Sequence, residues 1–165
     1  MTRIRSQQPV LPSLLDRLID DAPVQQKEVA KPAPVVLRDA KANIRRDLEN
    51  LLNTRLHQQY PLERYPELKQ STINYGLPDF SSVLLGAAEH REVFRLTIER
   101  TIKHFEPRLQ RARVQITTAG EEHERTLHIQ ITALLMVEPD PVPLLFDSRI
   151  RALDRIMKLR ELRHG

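Results

Sequence analysis

The period of the hydrophobic pattern changes at one proline, Pro107. Before it, apolar residues recur at every third or fourth position, as on one face of a helix, and these are Phe94, Ile98, Ile102 and Phe105. After it, apolar residues alternate with polar ones, as in a half-buried strand, and these are Ala112, Val114 and Ile116. Because proline disfavours the α conformation in the residue before it, the helix is predicted to end by Glu106. A chain that joins a helix directly to a strand is restricted to folds that mix helices with a sheet.

A second alternating segment follows the polar sequence AGEEHE. Its apolar positions are Leu127, Ile129, Ile131, Ala133, Leu135 and Val137, with His128, Gln130 and Thr132 between them. Two alternating segments joined by a polar link predict an antiparallel hairpin with one face on the core and one face in solvent.

The tail that follows EPDPVP allows two interpretations between residues 144 and 160. The spacing of Ile150, Leu153, Ile156 and Met157 is helical, and periodicity alone favours a helix. The segments LLF and IMKL are also compatible with two short strands around residues 152 to 154. The residues leave both alternatives open.

Helical patterns precede the hairpin. An apolar stripe runs from residue 39 to residue 56 and consists of Ala40, Ile44, Leu48, Leu51, Leu52 and Leu56. A second helical pattern covers residues 81 to 105, with Gly86 as a candidate break, and the proline-containing residues 57 to 69 predict a loop. The expected fold class is α/β of the α+β type, with a small, mainly antiparallel sheet packed against two or three helices.

The N-terminal region predicts a helical arm on a tether. Residues 11 to 20 place Leu14, Leu15, Leu18 and Ile19 on one side of a short helix, with Ser13 as its N-cap. Pro23, Pro32 and Pro34 then predict an extended linker, so residues 1–36 are expected to form an arm and 37–165 a single compact domain. A helix this short is not stable alone, so it packs either on its own domain or on another chain.

The sequence STINYGLPDF predicts a rigid corner. Gly76 can take the positive φ angle that other residues avoid, and Pro78 stiffens the chain after it. Asp79 or Ser81 is then suited to cap the helix that follows. Asn74 and Tyr75 complete this structural motif.

Composition excludes several classes of function. The chain contains no cysteine, which rules out disulfides and thiolate metal sites, and no apolar run is long enough to span a membrane or to form a secretory signal. A cytoplasmic location without membrane insertion is therefore expected. The net charge is only +4 with basic and acidic residues interspersed, and aromatic residues make up 4% of the chain, so nucleic acid is not an expected partner.

Glu106 is the obvious candidate for catalysis. A glycosidase needs a second carboxylate at a defined separation, and Asp79 and Glu99 are candidates that no spacing selects among the 22 acidic residues. His123 and His128 lack further metal ligands, so no cofactor or metal is expected. A carboxylate beside Pro-Arg has a simpler use in pairing with an arginine, which favours a structural or docking role over acid catalysis.

Four segments in order, SLLDRL, RRDLENLLNTR, STINYGLPDF and TIKHFEPRL, resemble the TssE family of type VI secretion baseplate subunits. This family is part of the baseplate wedge family of contractile phage tails, which is sometimes labelled lysozyme-like. The resemblance covers about residues 13 to 147 and rests mainly on NYGLPD and FEPRL together. The final twenty residues match least.

The resemblance implies a non-enzymatic, cytoplasmic component whose partners are the other baseplate wedge subunits and the contractile sheath. Glu106, Pro107 and Arg108 would form a wedge-assembly contact, and a C-terminal edge strand would contact the sheath by strand addition. This favours strands for residues 144 to 160. The tethered helix, through Leu14, Leu15 and Leu18, suits a contact with a neighbouring subunit. The alternatives are a peptidoglycan hydrolase with Glu106 as general acid and a basic module that binds acidic partners.

Overall fold

Two α-helices and four strands form the fold of the part of the chain that the structure describes. The structure is a computed structural model that describes residues 13, 16, 18, 31–56, 64–65, 67–68, 71–79, 88–119, 126–137, 140–151 and 156–162. The elements are α1 (Ala33–Asn53), a 3-10 turn (Thr72–Asn74), α2 (Ala88–Phe105), β1 (Leu109–Ala119), β2 (Thr126–Leu135), β3 (Val142–Arg151) and β4 (Arg160–Glu161). Leu14, Leu15, Ser81, Gly86 and His123 lie outside the described residues.

Helix α1 begins earlier than the pattern predicts. Its N-cap is Pro32, and the amides of Val35 and Val36 donate hydrogen bonds to the Pro32 carbonyl. Pro34 was predicted to lie in an extended linker, and this was wrong because a proline in the first helical turn removes no bond that the helix needs. The apolar stripe was correct, since Ile44, Leu48, Leu51 and Leu52 are buried.

Helix α2 ends where the sequence predicts. Phe94, Ile98 and Ile102 are its buried residues, and the Glu106 amide donates the last helical bond, 2.9 Å, to the Ile102 carbonyl. Lys103 and His104 lie in the last turn, where positive charge favours the negative end of the helix dipole. The helix therefore ends at Phe105, two residues before Pro107, and a short turn leads from it into β1.

The four strands form one sheet in the order β1-β2-β3-β4, with every neighbouring pair antiparallel. The predicted hairpin is β1 with β2, in which Val114 pairs with Ile131. A bulge interrupts β1 between Gln110 and Arg113, and Arg111 within it has a φ of 52°. The predicted α+β fold class is confirmed.

The described part of the tail contains two strands and no helix, so the helical interpretation was wrong for residues 144 to 151 and 156 to 160. Residues 142–151 make a long strand, whereas the IMKL segment, residues 156–159, has no regular structure and β4 covers only two residues. Side chains of α1 hold this segment in place. Glu49 accepts a hydrogen bond from the Leu159 amide at 2.8 Å, and Asn53 exchanges two with the backbone of Met157. Contacts from a distant helix thus replace the internal bonds that a helix would have made.

One hydrophobic core lies between the helices and one face of the sheet. Residues from both helices, from β1, β2 and β3, and from the C-terminal segment form a single buried cluster. Burial alternates along β2, so the opposite face of the sheet is turned away from the helices. Within the described residues, neither helix is both long and apolar enough to cross a membrane.

Candidate functional site

The Glu106-Pro107-Arg108 segment forms a short hinge between α2 and β1. The Leu109 amide donates a 3.1 Å hydrogen bond to the Glu106 carbonyl, which closes the turn. The Met136 amide donates a 3.2 Å bond to the Arg108 carbonyl, so the end of β2 holds the far side of the hinge. Pro107 is exposed at the tip, whereas Leu109 enters the core.

Glu106 and Arg108 pair with each other across the exposed proline. The Arg108 Nε and Nη2 atoms donate to Glu106 Oε1 and Oε2, both at 2.6 Å, which is the bidentate geometry of a strong charge-assisted pair. Glu106 is buried, with 5% of its surface exposed. The hydrogen bonds with Glu106 are the main cause that raises the pKa of Arg108 above its usual value. The hinge therefore contains a fixed ion pair rather than a free carboxylate.

Arg108 also reaches α1, where its Nη2 atom donates to Asp47 Oδ2 at 2.6 Å. Asp47 in turn pairs with Arg46 at 3.0 Å. Arg46 donates to Asp16 of the N-terminal helix at 2.5 Å. We call Asp16, Arg46, Asp47, Glu106 and Arg108 the charge cluster. It connects the N-terminal helix, α1 and the hinge in one chain of ion pairs.

Asp16 docks the N-terminal helix on its own chain. Burial acts to raise the pKa of Asp16, but hydrogen bonds with Arg46 and Ser13 outweigh it and hold that pKa below its usual value. The Asp16 amide donates a hydrogen bond to the Ser13 hydroxyl, and the Ser13 amide donates one to the Asp16 carboxylate. This reciprocal capping arrangement agrees with the prediction of Ser13 as the N-cap. Leu18 is 81% exposed, so this predicted interface residue is not covered by the described part of the chain.

The predicted corner lies against both helix ends. Gly76 has a φ of 112°, as the sequence predicts, and a Cβ atom there would lie 2.4 Å from the Thr54 carbonyl oxygen. The Leu77 amide donates to the same oxygen at 2.8 Å, and Leu77 is fully buried. The ring of Tyr75 contacts Phe105 edge to face, with centroids 5.2 Å apart. The corner is thus fastened to the end of α1 and to the start of the hinge.

An open groove of about 350 Å³ lies between the corner and α2. Asn74, Gly76 and Pro78 line one side, and α2 lines the other with residues that include Thr97, Arg100 and His104. No carboxylate is among the described lining residues. The predicted motif residue Asp79 is exposed and follows the corner, while the helix start that it was predicted to cap lies outside the described residues.

Two of the carboxylates proposed for catalysis, Glu106 and Glu99, are bonded to groups of their own chain. Both oxygens of Glu106 accept bonds from Arg108, so neither is left to protonate a leaving group. The Glu99 carboxylate accepts one hydrogen bond from the Val114 amide at 2.8 Å and another from the Arg95 guanidinium at 2.6 Å. Among the described residues, no group of three or more His, Asp or Glu side chains is arranged to hold a metal ion. This geometry holds the fold together and offers no acid–base pair at Glu106.

Asp16, Arg46 and Asp47 are the site residues that the sequence did not reveal. Arg46 and Asp47 are half-buried beside the apolar stripe of α1. Opposite charges at half-buried helical positions are a weak signal for a buried network. Glu106 and Arg108 were predicted from their motif, but the structure turns both toward their own chain.

Comparison with known protein families gives a match over residues 38–140, more than half of the chain, to the family described as baseplate wedge protein gp25. The chain belongs to this baseplate wedge family. The matched stretch contains the corner, the hinge and most of α1, which are the parts joined around the charge cluster. The sequence resemblance to baseplate wedge proteins is therefore confirmed at the level of the family.

A solved structure described as "The baseplate complex from the type VI secretion system" contains a chain with a similar fold. The two share 17% sequence identity with a TM-score of 0.52, and the match covers 69% of this chain and 94% of that chain. At this identity the similarity establishes the fold. The search of curated proteins gave no match.

Proposed function

We propose that this protein is a non-enzymatic structural subunit of a type VI secretion baseplate, located in the cytoplasm, that joins wedge subunits to the contractile sheath. The observation that carries the proposal is the family match across residues 38–140. The similar fold of a chain in a type VI baseplate complex supports the choice of this assembly.

The hinge is the proposed contact with the wedge. Glu106 is buried and acts through Arg108, so the surface offered to a partner is the exposed Pro107 together with the half-buried edge of Arg108. The bidentate pair and the bond to Asp47 hold this surface in one conformation before binding, which lowers the entropic cost of association. Glu106 is therefore proposed as a positioning residue for the contact.

The N-terminal helix is proposed as a second contact. Asp16 anchors it on Arg46, while Leu18 is exposed and available to a neighbouring subunit. Leu14 and Leu15 are proposed to share this apolar contact.

The C-terminal edge of the sheet is the proposed contact with the sheath. Strand β4 pairs with β3 only at Phe146 and Asp147, so within the described residues most of the outer edge of β3 has no neighbouring strand. At the other edge, the Val114 amide of β1 is already occupied by Glu99, and a bulge distorts the strand. Bulges and occupied amides oppose strand addition, which favours the β3–β4 edge.

The test is co-purification of the other baseplate subunits with a tagged copy of the full chain. Arg108→Ala is expected to abolish recovery of wedge subunits because it removes the cation that joins Glu106 to Asp47. Arg95→Ala is the matched control, since Arg95 also bridges two carboxylates, Glu92 and Glu99, but lies in the middle of α2. Circular dichroism checks that both variants are folded.

Equal recovery of wedge subunits with folded Arg108→Ala and with wild type would contradict the wedge contact. A purified protein that released fragments from peptidoglycan at any pH between about 4 and 8 would contradict the non-enzymatic role.

A further inference from the structure

One face of the sheet is not covered by α1 or α2. The side chains that alternate with the core residues of β1, β2 and β3 point to the side away from the helices, and we call this side the outer face. Its described members are half-buried or exposed, and they include Arg113, Gln115, Gln130, Asp147, Arg149 and Arg160. Most of these side chains are polar, as expected for a sheet surface in contact with water or with a polar partner.

The charges on the outer face are mostly positive. Arg113, Arg149 and Arg160 are exposed, and Asp147 is the described carboxylate among them. Asp147 pairs in register with Arg160 on β4 and with Gln130 on β2, so it sits in a row of polar side chains across the sheet. One carboxylate does not balance three guanidinium groups.

Three arginines on the helical side of the molecule are paired with carboxylates. Arg46, Arg95 and Arg108 each bridge two carboxylates at 3.0 Å or less. Among the described residues, Arg113, Arg149 and Arg160 form no ion pair. Within the described part of the chain, the positive charge of these three outer-face arginines is left uncompensated, and it attracts anionic groups.

The spacing of the three arginines indicates the size of the anion. From the register and standard strand dimensions, the Cα atoms of Arg113 and Arg149 are about 16 Å apart, while those of Arg149 and Arg160 are about 8 Å apart. Two neighbouring arginines can share one carboxylate, but one phosphate or carboxylate cannot bridge all three. An extended anion with several charges fits this surface.

The remaining side chains of the outer face favour a protein over a nucleic acid. Among the described residues of the outer face, His128 supplies the one aromatic ring and no Phe, Tyr or Trp is present, whereas single-stranded nucleic acid is bound largely by base stacking on such rings. Gln115, Gln130 and Thr132 offer hydrogen-bonding groups that suit carboxylates and peptide groups.

We propose that the outer face binds an acidic segment, rich in Asp and Glu, of a neighbouring baseplate subunit. The inference relies on the proposed function for the identity of the assembly, and on the charges and register of the sheet for the chemistry of the partner. The outer face is separate from the hinge, and it shares Arg160 with the strand β4 of the proposed sheath contact. The outer face offers side chains, whereas strand addition at that edge uses main-chain groups.

A pair of matched triple variants tests the charge requirement. The face variant carries Arg113→Gln, Arg149→Gln and Arg160→Gln, and the control variant carries Arg38→Gln, Arg45→Gln and Lys103→Gln. All six positions are exposed, and both variants lose the same charge, but the control positions are on the helices. Binding to a fluorescent poly-glutamate peptide is measured by polarisation at rising salt concentration.

The wild type is expected to bind the peptide with an affinity that falls as salt rises. The face variant is expected to bind it about tenfold or more weakly at low salt, whereas the control stays within about twofold of wild type. An equal loss of peptide affinity in both variants would overturn the inference, because binding would then depend on the net charge of the protein and not on the position of the arginines.

Photo-crosslinking in cells identifies the partner. A crosslinking residue is placed at Gln115, which is exposed on the outer face, or at Glu92, which is exposed on α2. The adduct from position 115 is expected to map to an acidic segment of another baseplate subunit. A nucleic acid adduct, an adduct with a segment that is not acidic, or no adduct from position 115 would overturn the inference.

The two proposals fail in different ways. If the tagged wild-type chain recovers no baseplate subunit, the proposed function fails. If it recovers them and the face variant recovers them equally at every salt concentration, only the outer-face inference fails.

Discussion

At the scale of residues, the two buried polar groups of the described core are used in opposite ways. Glu106 has both carboxylate oxygens bonded to Arg108, whereas the Ser148 hydroxyl has no hydrogen-bond partner. A buried polar group that is paired contributes to stability, and one that is unpaired costs free energy. The two residues therefore give opposite expectations on substitution.

Glu106→Gln is expected to lower the free energy of unfolding by about 2 kcal/mol, because it replaces a bidentate ionic pair with a neutral side chain and leaves Arg108 only one carboxylate. Urea denaturation followed by circular dichroism measures the change. Glu92→Gln is the control, since Glu92 also pairs with an arginine but is exposed, and little change is expected there. A variant at position 106 as stable as wild type would show that the cluster adds no stability.

Ser148→Ala is expected to leave the free energy of unfolding unchanged or to raise it by up to about 1 kcal/mol, because it removes a buried hydroxyl without a partner. Ser71→Ala provides the comparison, since the Ser71 hydroxyl donates to the Leu68 carbonyl at 3.1 Å. The Ser71 variant should lose stability by about 0.5 to 1 kcal/mol. Clear destabilisation by Ser148→Ala in thermal unfolding would indicate a partner for that hydroxyl.

At the scale of elements, charged side chains determine how the short segments attach to the domain. The N-terminal helix is attached through Asp16 and Arg46, and the C-terminal segment is attached to α1 through Glu49, Asn53 and the Lys41–Glu161 pair. The C-terminal segment also buries Met157 and Leu159 in the core. For the described part of the N-terminal helix the attachment is the ion pair of Asp16 with Arg46, so that attachment should respond to pH and salt.

Docking of the N-terminal helix is expected to be lost in acid. In the docked state the pKa of Asp16 lies below its usual value of 3.8, because hydrogen bonds with Arg46 and Ser13 outweigh the effect of burial, so docking favours the charged carboxylate. Its contribution is complete above pH 3.8 and disappears as the pH falls through the lower, docked pKa. Limited proteolysis at a range of pH values, with a protease active in acid, measures how readily the linker after the helix is cut.

Asp16→Asn serves as the control for this titration. The linker of this variant should be cut readily at neutral pH, and the rate of cutting should not rise further in acid, because the carboxylate that titrates has been removed. Identical cutting of wild type and Asp16→Asn at neutral pH would show that the ion pair does not hold the helix.

At the scale of the whole molecule, one hydrophobic cluster joins both helices, the sheet and the C-terminal segment. The described part of the N-terminal helix is joined to this body by the charge cluster, through Asp16 and Arg46. Helix α1 begins at Ala33, and the first of its residues that packs against the core is Leu37.

A chain that starts at Lys31 is expected to fold cooperatively and to lose only the contribution of Asp16 and Ser13. A chain that starts at Leu37 should be less stable than the first, because it lacks the opening turn of α1 and the Pro32 carbonyl that accepts two amides. Thermal unfolding followed by circular dichroism compares the two. If the chain from Lys31 fails to unfold cooperatively, the arm is part of the core and not an attachment.

Local features were predictable because they depend on neighbouring residues. Pro107 ends α2, Gly76 takes a positive φ, and the alternation in β1 and β2 identifies the buried face, since steric limits and side-chain periodicity act over a few positions. The same local rules failed at Pro34 and in the tail. Proline is compatible both with a linker and with a first helical turn, and residues 156–159 are held by side chains of α1 that no local pattern contains.

The amino-acid pattern was enough to identify both helices, the hairpin, the hinge at Pro107 and the corner at Gly76. The contacts made by the polar residues of these elements depend on how the elements pack together. Arg108 meets Asp47 across 61 positions of the chain, and Arg46 meets Asp16 across 30. The physical reason is that an ion pair depends on distance in space, so the partners of Glu106 and Arg108 became known only when the helices packed on the sheet.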